Sequence, residues 1–152
     1  MQKEKTVNAD RELVISRLLN APRELVWQVW TEPDHIKNWW GPAGFTNTIS
    51  AMNVEPGGVW DLVMHGPDGT DYKNKSIYTE VIQFEKLEFD HVSNPKFHVT
   101  VTFEEQSDKT LLTWKMLFET AELFNSVVKA FQADEGIRQN VDKLETYLAN
   151  NK

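Results

Sequence analysis

The chain has 152 residues, of which 40% are hydrophobic and 11% aromatic, so we expect one core and one domain over residues 1–152, with residues 1–10 flexible. Its formal charge is -7 and its basic residues form no run of five or more, which disfavours nucleic-acid binding. The sequence contains no cysteine, which excludes disulfides, thiolate metal sites and thiol nucleophiles.

The N-terminal segment and the hydropathy of the chain bear on its location. Residues 1–12 are polar and mixed in charge, and they lack the apolar stretch of a signal peptide. No run of 18 apolar residues occurs in the sequence. We therefore expect a cytoplasmic protein that does not insert into membranes, and we expect it to be a monomer or a weak homodimer.

The first predicted elements are one strand and two short helices. Residues 12–20 are rich in Leu, Val and Ile, which predicts a strand. A helix is predicted over 22–31, because the proline at its start lacks the N–H that the first helical turn does not need. A second short helix over 33–40 carries two adjacent tryptophans and ends at Gly41-Pro42.

From Phe45 to Phe118 the pattern changes to short alternating runs separated by turn residues. The predicted strands are 45–54, 59–65, 72–84, 87–92, 97–105 and 110–118. Their connections are too short for parallel crossovers, so neighbouring strands are predicted to be antiparallel.

A long helix of roughly 40 Å is predicted over 120–150, with Thr120 as its cap. Its apolar stripe is formed by Leu123, Val127, Phe131, Ile137, Val141, Leu144 and Leu148. Gly136 interrupts this helix, and we expect it to pack closely against a strand or to produce a slight bend. The elements together predict an α+β fold, in which a curved antiparallel sheet of about seven strands surrounds the C-terminal helix.

Several short segments of the chain occur in a characteristic order. They are Ala21-Pro22-Arg23-Glu24-Leu25-Val26-Trp27, Trp39-Trp40-Gly41-Pro42, Pro56-Gly57-Gly58-Val59-Trp60, Met64-His65-Gly66-Pro67-Asp68-Gly69, and Glu135-Gly136 with Leu144 and Tyr147-Leu148. With these segments the chain resembles the homologues of the activator of the heat-shock chaperone ATPase, within the START-like (SRPBCC) superfamily.

This resemblance implies a helix-grip fold with a cavity between the sheet and the long helix. It does not imply one chemistry, because relatives include lipid carriers, polyketide cyclases, resistance proteins and chaperone activators. The chain departs from many relatives at Ile137, where they place an aromatic residue, and this departure changes the expected shape of the cavity.

Strand alternation independently predicts an apolar inner surface. Lys115 and Asp61 are expected to face water, which directs their strand neighbours inward. The predicted ligand-binding residues are Trp40, Trp60, Leu62, Met64, Tyr78, Trp114, Met116, Phe124, Val127 and Phe131. The alternative for each residue is that it simply fills the core. Trp40 and its neighbour Trp39 either gate the cavity or close the end of the sheet.

Candidates for acid and base chemistry are few. Glu80 is in phase with Tyr78, so both would enter the cavity if their strand faces inward, and burial would then raise the pKa of Glu80. His65 lies at either the cavity rim or a hairpin end. His91 and His98 flank a turn and are expected to form a surface pair rather than a metal site. No recognised catalytic signature is present, and no metal or other cofactor is expected.

Three functions follow from this pattern. The leading one is binding of a small hydrophobic ligand, such as a lipid, a polyketide or an aromatic metabolite, in the apolar cavity. The first alternative is an enzyme of the cyclase or hydrolase type that uses the same cavity. The second alternative, which the resemblance suggests, is a protein-binding domain that activates a chaperone ATPase.

Overall fold

The computed structural model of the protein describes residues 11–151, without the side chains of Ala130 and Phe131. The predicted flexible segment 1–10 lies outside the described residues. The elements are β1 (Glu12–Leu19), α1 (Arg23–Thr31), α2 (Pro33–Ile36), β2 (Thr46–Met52), β3 (Val59–His65), β4 (Asp71–Ile82), β5 (Lys86–His91), β6 (Phe97–Gln106), β7 (Lys109–Phe118), α3 (Ala121–Phe131) and α4 (Ala133–Asn150).

The seven strands form one sheet in the order β1-β7-β6-β5-β4-β3-β2, and every neighbouring pair is antiparallel. Strands β2 to β7 form a meander, and β1 completes the sheet by pairing with β7, with Ile15 opposite Trp114. The predicted fold class, an α+β fold with a curved antiparallel sheet and two short helices after the first strand, is confirmed.

The C-terminal helix differs from the single long helix that the sequence predicts. It is divided at Gln132, whose backbone is left-handed with φ 51° and ψ 50°. The apolar stripe explains the break. Val127 and Ile137 are both buried, yet ten residues of a straight helix would turn their side chains about 80° apart. The interruption lets both helices bury their apolar faces.

Two further features of this region were predicted. The Thr120 hydroxyl accepts a hydrogen bond from the Leu123 N–H at 3.0 Å, so the predicted helix cap is confirmed. Gly136 lies inside α4, where an added Cβ would be 3.5 Å from Pro42 Cγ, an ordinary contact. The neighbour of Gly136 is therefore Pro42, in the segment after α2, so the expectation that Gly136 packs closely against a strand is wrong. A slight bend at Gly136 stays a prediction.

The core lies between the concave face of the sheet and helices α1 and α4. Trp30 in α1 is fully buried and makes edge-to-face contacts with Trp39, Phe103 and Trp114 at ring-centroid distances of 4.9, 6.1 and 5.1 Å. Such contacts add to the stabilisation that comes from burial alone. This aromatic packing fixes the position of β7 and of the segment after α2, which both border the cavity described below.

Candidate functional site

A partly open cavity of about 210 Å³ lies between the concave face of the sheet and the N-terminal half of α4. Its sheet side is formed by β3 to β7, and its helix side includes Ala133, Gly136 and Ile137. The segment Trp40-Gly41-Pro42 borders it as well. Among residues 11–151, none of the side chains that line it carries a carboxylate, an ammonium or a guanidinium group.

Six of the ten predicted ligand-binding residues lie on this surface. They are Trp40, Trp60, Leu62, Met64, Trp114 and Met116. Alternation in β3 and β7 identifies five of them, because Asp61 and Lys115 point to the opposite face. A role in ligand binding stays a prediction for all six.

Three of the other four predicted residues do not line the cavity. Tyr78 is 1% exposed and packs behind it, against Trp60 and Phe89. Phe124 and Val127 belong to α3, where Phe124 contacts Phe118 at 5.6 Å. The Phe131 side chain lies outside the described residues. The expectation that Tyr78, Phe124 and Val127 form the cavity surface is therefore wrong. Phe124 and Val127 precede the break at Gln132, and the helical residues that line the cavity follow it in α4.

Indole rings dominate one side of the cavity. Trp40 stacks on Trp114 at a centroid distance of 5.3 Å and meets Trp60 edge-on at 4.9 Å. Its neighbour Trp39 does not line the cavity. Trp39 is fully buried, and its indole N–H donates to the Val29 carbonyl at 3.1 Å. Trp39 therefore serves the core, and Trp40 alone of this pair faces the cavity.

Helix α4 holds the segment that carries Trp40. The buried Asn140 side chain accepts a hydrogen bond from the Gly41 N–H at 3.0 Å and donates one to the Trp39 carbonyl at 2.7 Å. Lys143 donates to the Pro42 carbonyl at 3.1 Å, and burial lowers the pKa of its ammonium group. These bonds satisfy backbone groups that no sheet or helix pairs, so they fix one border of the cavity.

Strands β4 and β5 contribute three polar side chains to the cavity surface that the sequence reasoning missed. Ser76 and His91 are opposite each other in the β4–β5 register, and Asn74 lies two residues before Ser76 on the same strand. Ser76 is 2% and His91 8% exposed. The signal was present in the sequence, because Leu87, Phe89 and His91 alternate in phase and all three face inward.

The His91 ring is held by hydrogen bonds and stacking. Nδ1 donates to the Pro95 carbonyl at 2.7 Å, and the ring stacks on Phe97 at 4.4 Å. Nε2 lies 2.5 Å from Asn74 Oδ1 and 3.3 Å from Ser93 Oγ. Burial lowers the pKa of His91, although its hydrogen bonds to Pro95 and Ser93 act in the other direction. A carbonyl can only accept, so Nδ1 carries a proton, and the Asn74 side chain is the hydrogen-bond partner of Nε2.

His98 does not pair with His91, because the two residues face opposite sides of the sheet. His98 lies on the convex face, where its Nδ1 is 2.7 Å from Asp90 Oδ1 and its Nε2 is 2.9 Å from Glu88 Oε1. Burial opposes protonation of His98, but the two carboxylates outweigh it and raise its pKa. The predicted surface pair of His91 and His98 is therefore wrong, because only His98 is on the surface.

The three candidate catalytic residues do not come together. Glu80 lies on the convex face, 2.9 Å from Lys86 Nζ. A register shift between Tyr78 and Glu80 places one extra residue in β4, which reverses the alternation and turns Glu80 outward. The expected entry of Glu80 into the cavity is therefore wrong. Tyr78 is buried behind the surface, and burial raises the pKa of its hydroxyl.

His65 lies at the end of the β3–β4 hairpin. Its Nε2 is 2.8 Å from Thr48 Oγ1 and its Nδ1 is 2.8 Å from Asp71 Oδ1, on the face opposite the one that Met64 occupies. It does not line the cavity. The sequence allows His65 to lie at the cavity rim or at the end of a hairpin, and in the structure it lies at the hairpin end.

Within residues 11–151, none of the helices is both long and apolar enough to cross a membrane. In the same range, no cluster of three or more His, Asp or Glu side chains is arranged to hold a metal ion.

A curved antiparallel sheet that closes over a C-terminal helix and leaves a cavity between them defines a helix-grip protein. Comparison with protein families matches residues 20–149 to the family described as Activator of Hsp90 ATPase homolog 1-like protein. The chain therefore belongs to this family, as its resemblance in sequence predicts. No curated protein matches it.

Solved structures share the fold over nearly the whole chain. A protein from Arthrobacter aurescens is 25% identical, with a TM-score of 0.88 over 96% of this chain and 90% of that one. A protein from Mycobacterium smegmatis is 24% identical, with a TM-score of 0.86 over 99% of both chains. One from Nitrosomonas europaea is 23% identical, with a TM-score of 0.86 over 95% of this chain and 97% of that one. These likenesses concern the fold.

Proposed function

We propose that this protein binds a small hydrophobic molecule in the cavity between the sheet and α4. The observation that carries the proposal is the void itself, because close-packed interiors leave few spaces larger than a water molecule. A void bordered by Trp40, Trp60, Trp114 and Met116 offers a guest apolar contact that water does not provide. Each Å² of apolar surface that the guest removes from water contributes about 25 cal/mol.

The protein-binding alternative has less support in the described residues. Their most exposed large apolar side chains are Leu18, Tyr72 and Ile82, at 46, 38 and 38%. Leu18 is on β1, which three intervening strands separate from β4. The other two are ten residues apart on β4, roughly 33 Å along an extended strand. These side chains therefore do not form one contiguous apolar patch of the kind that marks a protein interface.

The test is a thermal-shift screen of aromatic, polyketide and lipid compounds, followed by calorimetry of the hits. A ligand whose free concentration is about one hundred times its Kd should raise the free energy of unfolding by about 2.7 kcal/mol. The variant Ala133→Phe places a ring into the cavity from α4, and a ring needs about 150 Å³. We expect this variant to fold and to lose ligand-dependent stabilisation.

Ala149→Phe is the matched control, because Ala149 is an exposed residue of the same helix. This control should bind as the unchanged protein does. Equal binding by both variants would place the ligand elsewhere, and a screen without any stabilising compound would contradict the proposed function.

A further inference from the structure

Two indole N–H groups beside the cavity have no hydrogen-bond partner. They belong to Trp60 in β3 and Trp114 in β7, which line the cavity and are 1% and 3% exposed. Neither Nε1 atom has a partner within residues 11–151. Nearly all buried polar groups in folded proteins are paired, so two unpaired donors at one cavity require an explanation.

The indole of Trp30 provides a comparison within the same core. Its Nε1 is also buried and unpaired in the described part of the chain, but Trp30 does not line the cavity. Its ring packs edge-to-face against other aromatic rings, to whose faces an N–H group donates only weakly. Trp60 and Trp114 differ from Trp30 because they border a space that a guest can occupy, so an acceptor from outside the chain can pair with them.

Ser76 adds a hydroxyl group next to Trp60. The two residues are directly opposite each other in the β3–β4 register, and the Cβ atoms of such a pair lie about 4.5–5.5 Å apart. Ser76 lines the cavity, is 2% exposed, and its hydroxyl makes no hydrogen bond within the described part of the chain. A carbonyl oxygen has two lone pairs, so one such oxygen in a guest can accept from both Ser76 and Trp60.

The other polar side chains at the cavity already have partners. His91 Nε2 and Asn74 Oδ1 are hydrogen-bonded to each other at 2.5 Å, and His91 Nδ1 donates to the Pro95 carbonyl. The Asn140 side-chain oxygen accepts from a backbone N–H at 3.0 Å. Apart from the Ser76 hydroxyl, which can donate or accept, the unpaired polar side chains at this surface are therefore donors.

The charge of the cavity surface restricts which acceptor fits. Among residues 11–151 its side chains include no Lys or Arg, so a carboxylate would lose its hydration without gaining a partner of opposite charge. Burial lowers the pKa of His91, so this ring does not supply a cation at neutral pH. The surface therefore favours an uncharged acceptor.

Trp40 is the third indole at the cavity, and it contacts the other two. Its ring stacks on Trp114 at a centroid distance of 5.3 Å and meets Trp60 at 4.9 Å. Unlike those two rings, it is only partly buried. Because the Nε1 atoms of Trp60 and Trp114 are covered in this arrangement, we expect the Trp40 ring to shift when an acceptor reaches them.

Building on the proposed function, we propose that the ligand is a neutral hydrophobic molecule that presents a carbonyl oxygen to the unpaired indole N–H groups of Trp60 and Trp114. A ketone is the simplest example. Its apolar part packs against the indole rings, and its oxygen accepts from one of the two indoles, with Ser76 as a second donor beside Trp60. A guest without an acceptor leaves all these donors unpaired, which is costly in a buried site.

The experiment compares three probes by calorimetry: acetophenone, α-methylstyrene, in which a CH₂ group replaces the carbonyl oxygen, and the charged benzoate. The quantity measured is the ratio of the affinities for acetophenone and α-methylstyrene, in which their shared apolar contacts cancel. In Trp60→Phe or in Trp114→Phe this ratio should fall about fivefold, since one hydrogen bond in a buried site is lost. In the control Trp27→Phe, which alters a tryptophan that does not line the cavity, the ratio should not change.

A second measurement requires no variant protein in the binding step. The indole N–H proton of Trp60 or of Trp114 should move downfield when acetophenone binds and should not do so with α-methylstyrene, because only the ketone accepts a hydrogen bond. The N–H proton of Trp30, which is unpaired but does not line the cavity, should show no such difference between the two probes. This readout decides the question if the Trp→Phe variants fail to fold or disagree with it.

Each outcome has a distinct meaning. An unchanged ratio in both Trp60→Phe and Trp114→Phe, without a downfield shift of either N–H proton, overturns the carbonyl inference, and so does tightest binding of benzoate. In those cases a guest still binds and the proposed function stands. If none of the three probes binds, the hits from the wider screen take their place, and hits that carry no acceptor overturn the inference alone. A screen without any hit would remove the proposed function together with this inference.

Discussion

The two faces of the same sheet have opposite chemistry. On the concave face, Leu87, Phe89 and His91 of β5 point toward indoles and an uncharged cavity. On the convex face, the residues between them point toward His98 and Lys86, in a network of carboxylates and cations. One strand supplies both surfaces because successive side chains alternate. The apolar character of the cavity is therefore specific to the concave face, because the same strands carry charged side chains on their convex face.

The largest expected difference between the faces concerns packing. Leu112 on the concave face is 1% exposed, and Leu18 on the adjacent strand and the other face is 46% exposed. We expect Leu112→Ala to lower the free energy of unfolding by about 2–5 kcal/mol, because it leaves a void in the core. Leu18→Ala should change it by less than about 0.5 kcal/mol. Urea denaturation of both variants measures the difference, and equal losses would contradict the assignment of faces.

The next effect concerns the polar link between α4 and the cavity border. Asn140→Ala leaves the Gly41 N–H and the Trp39 carbonyl without their partner. We expect a loss of about 1–3 kcal/mol in the free energy of unfolding, because buried polar groups are costly to leave unpaired. Asn38→Ala, at an exposed position, is the control. A loss no greater than that of the control would show that Asn140 does not hold the segment.

The smallest expected effect is on the pH dependence of the free energy of unfolding, to which the histidines of the two faces contribute with opposite sign. The pKa of His98 is raised in the fold, so its contribution to stability is complete below the ordinary value of 6.5 and is lost as the pH rises above it toward the folded pKa. The pKa of His91 is lowered, so stability is lost as the pH falls below 6.5. NMR titration of both rings should place His98 above and His91 below 6.5.

His98→Gln offers a further check on this sign. The variant should abolish the part of the stability loss that occurs above pH 6.5, while the loss on the acidic side remains. If both rings titrate on the same side of 6.5, the contrast between the faces does not extend to their histidines.

Much of the fold could be predicted from the sequence because its signals are local. Alternation around Asp61 and Lys115 assigns the inner faces of β3 and β7. Short connections imply an antiparallel meander, and the Thr120 cap marks the start of α3. Each of these signals depends on a few neighbouring residues, so no tertiary contact is needed to interpret it.

The features that could not be predicted depend on departures from regular periods. The extra residue in β4 turns Glu80 outward, and no turn residue marks it in the sequence. The helix breaks at Gln132, although a left-handed backbone is more usual for Gly or Asn. A continuous helix would bring Phe124 and Val127 to the cavity, where residues of α4 lie instead.

The most direct test of the cavity as a binding site is the set of six indole N–H signals in a ¹⁵N–¹H spectrum. Addition of a hit from the screen should shift the signals of Trp40, Trp60 and Trp114, which border the cavity. Trp27, which packs against Phe84 and Phe103 away from it, should not shift. Shifts confined to Trp27, or none with any compound in the screen, would contradict the proposal that this cavity holds a small hydrophobic molecule.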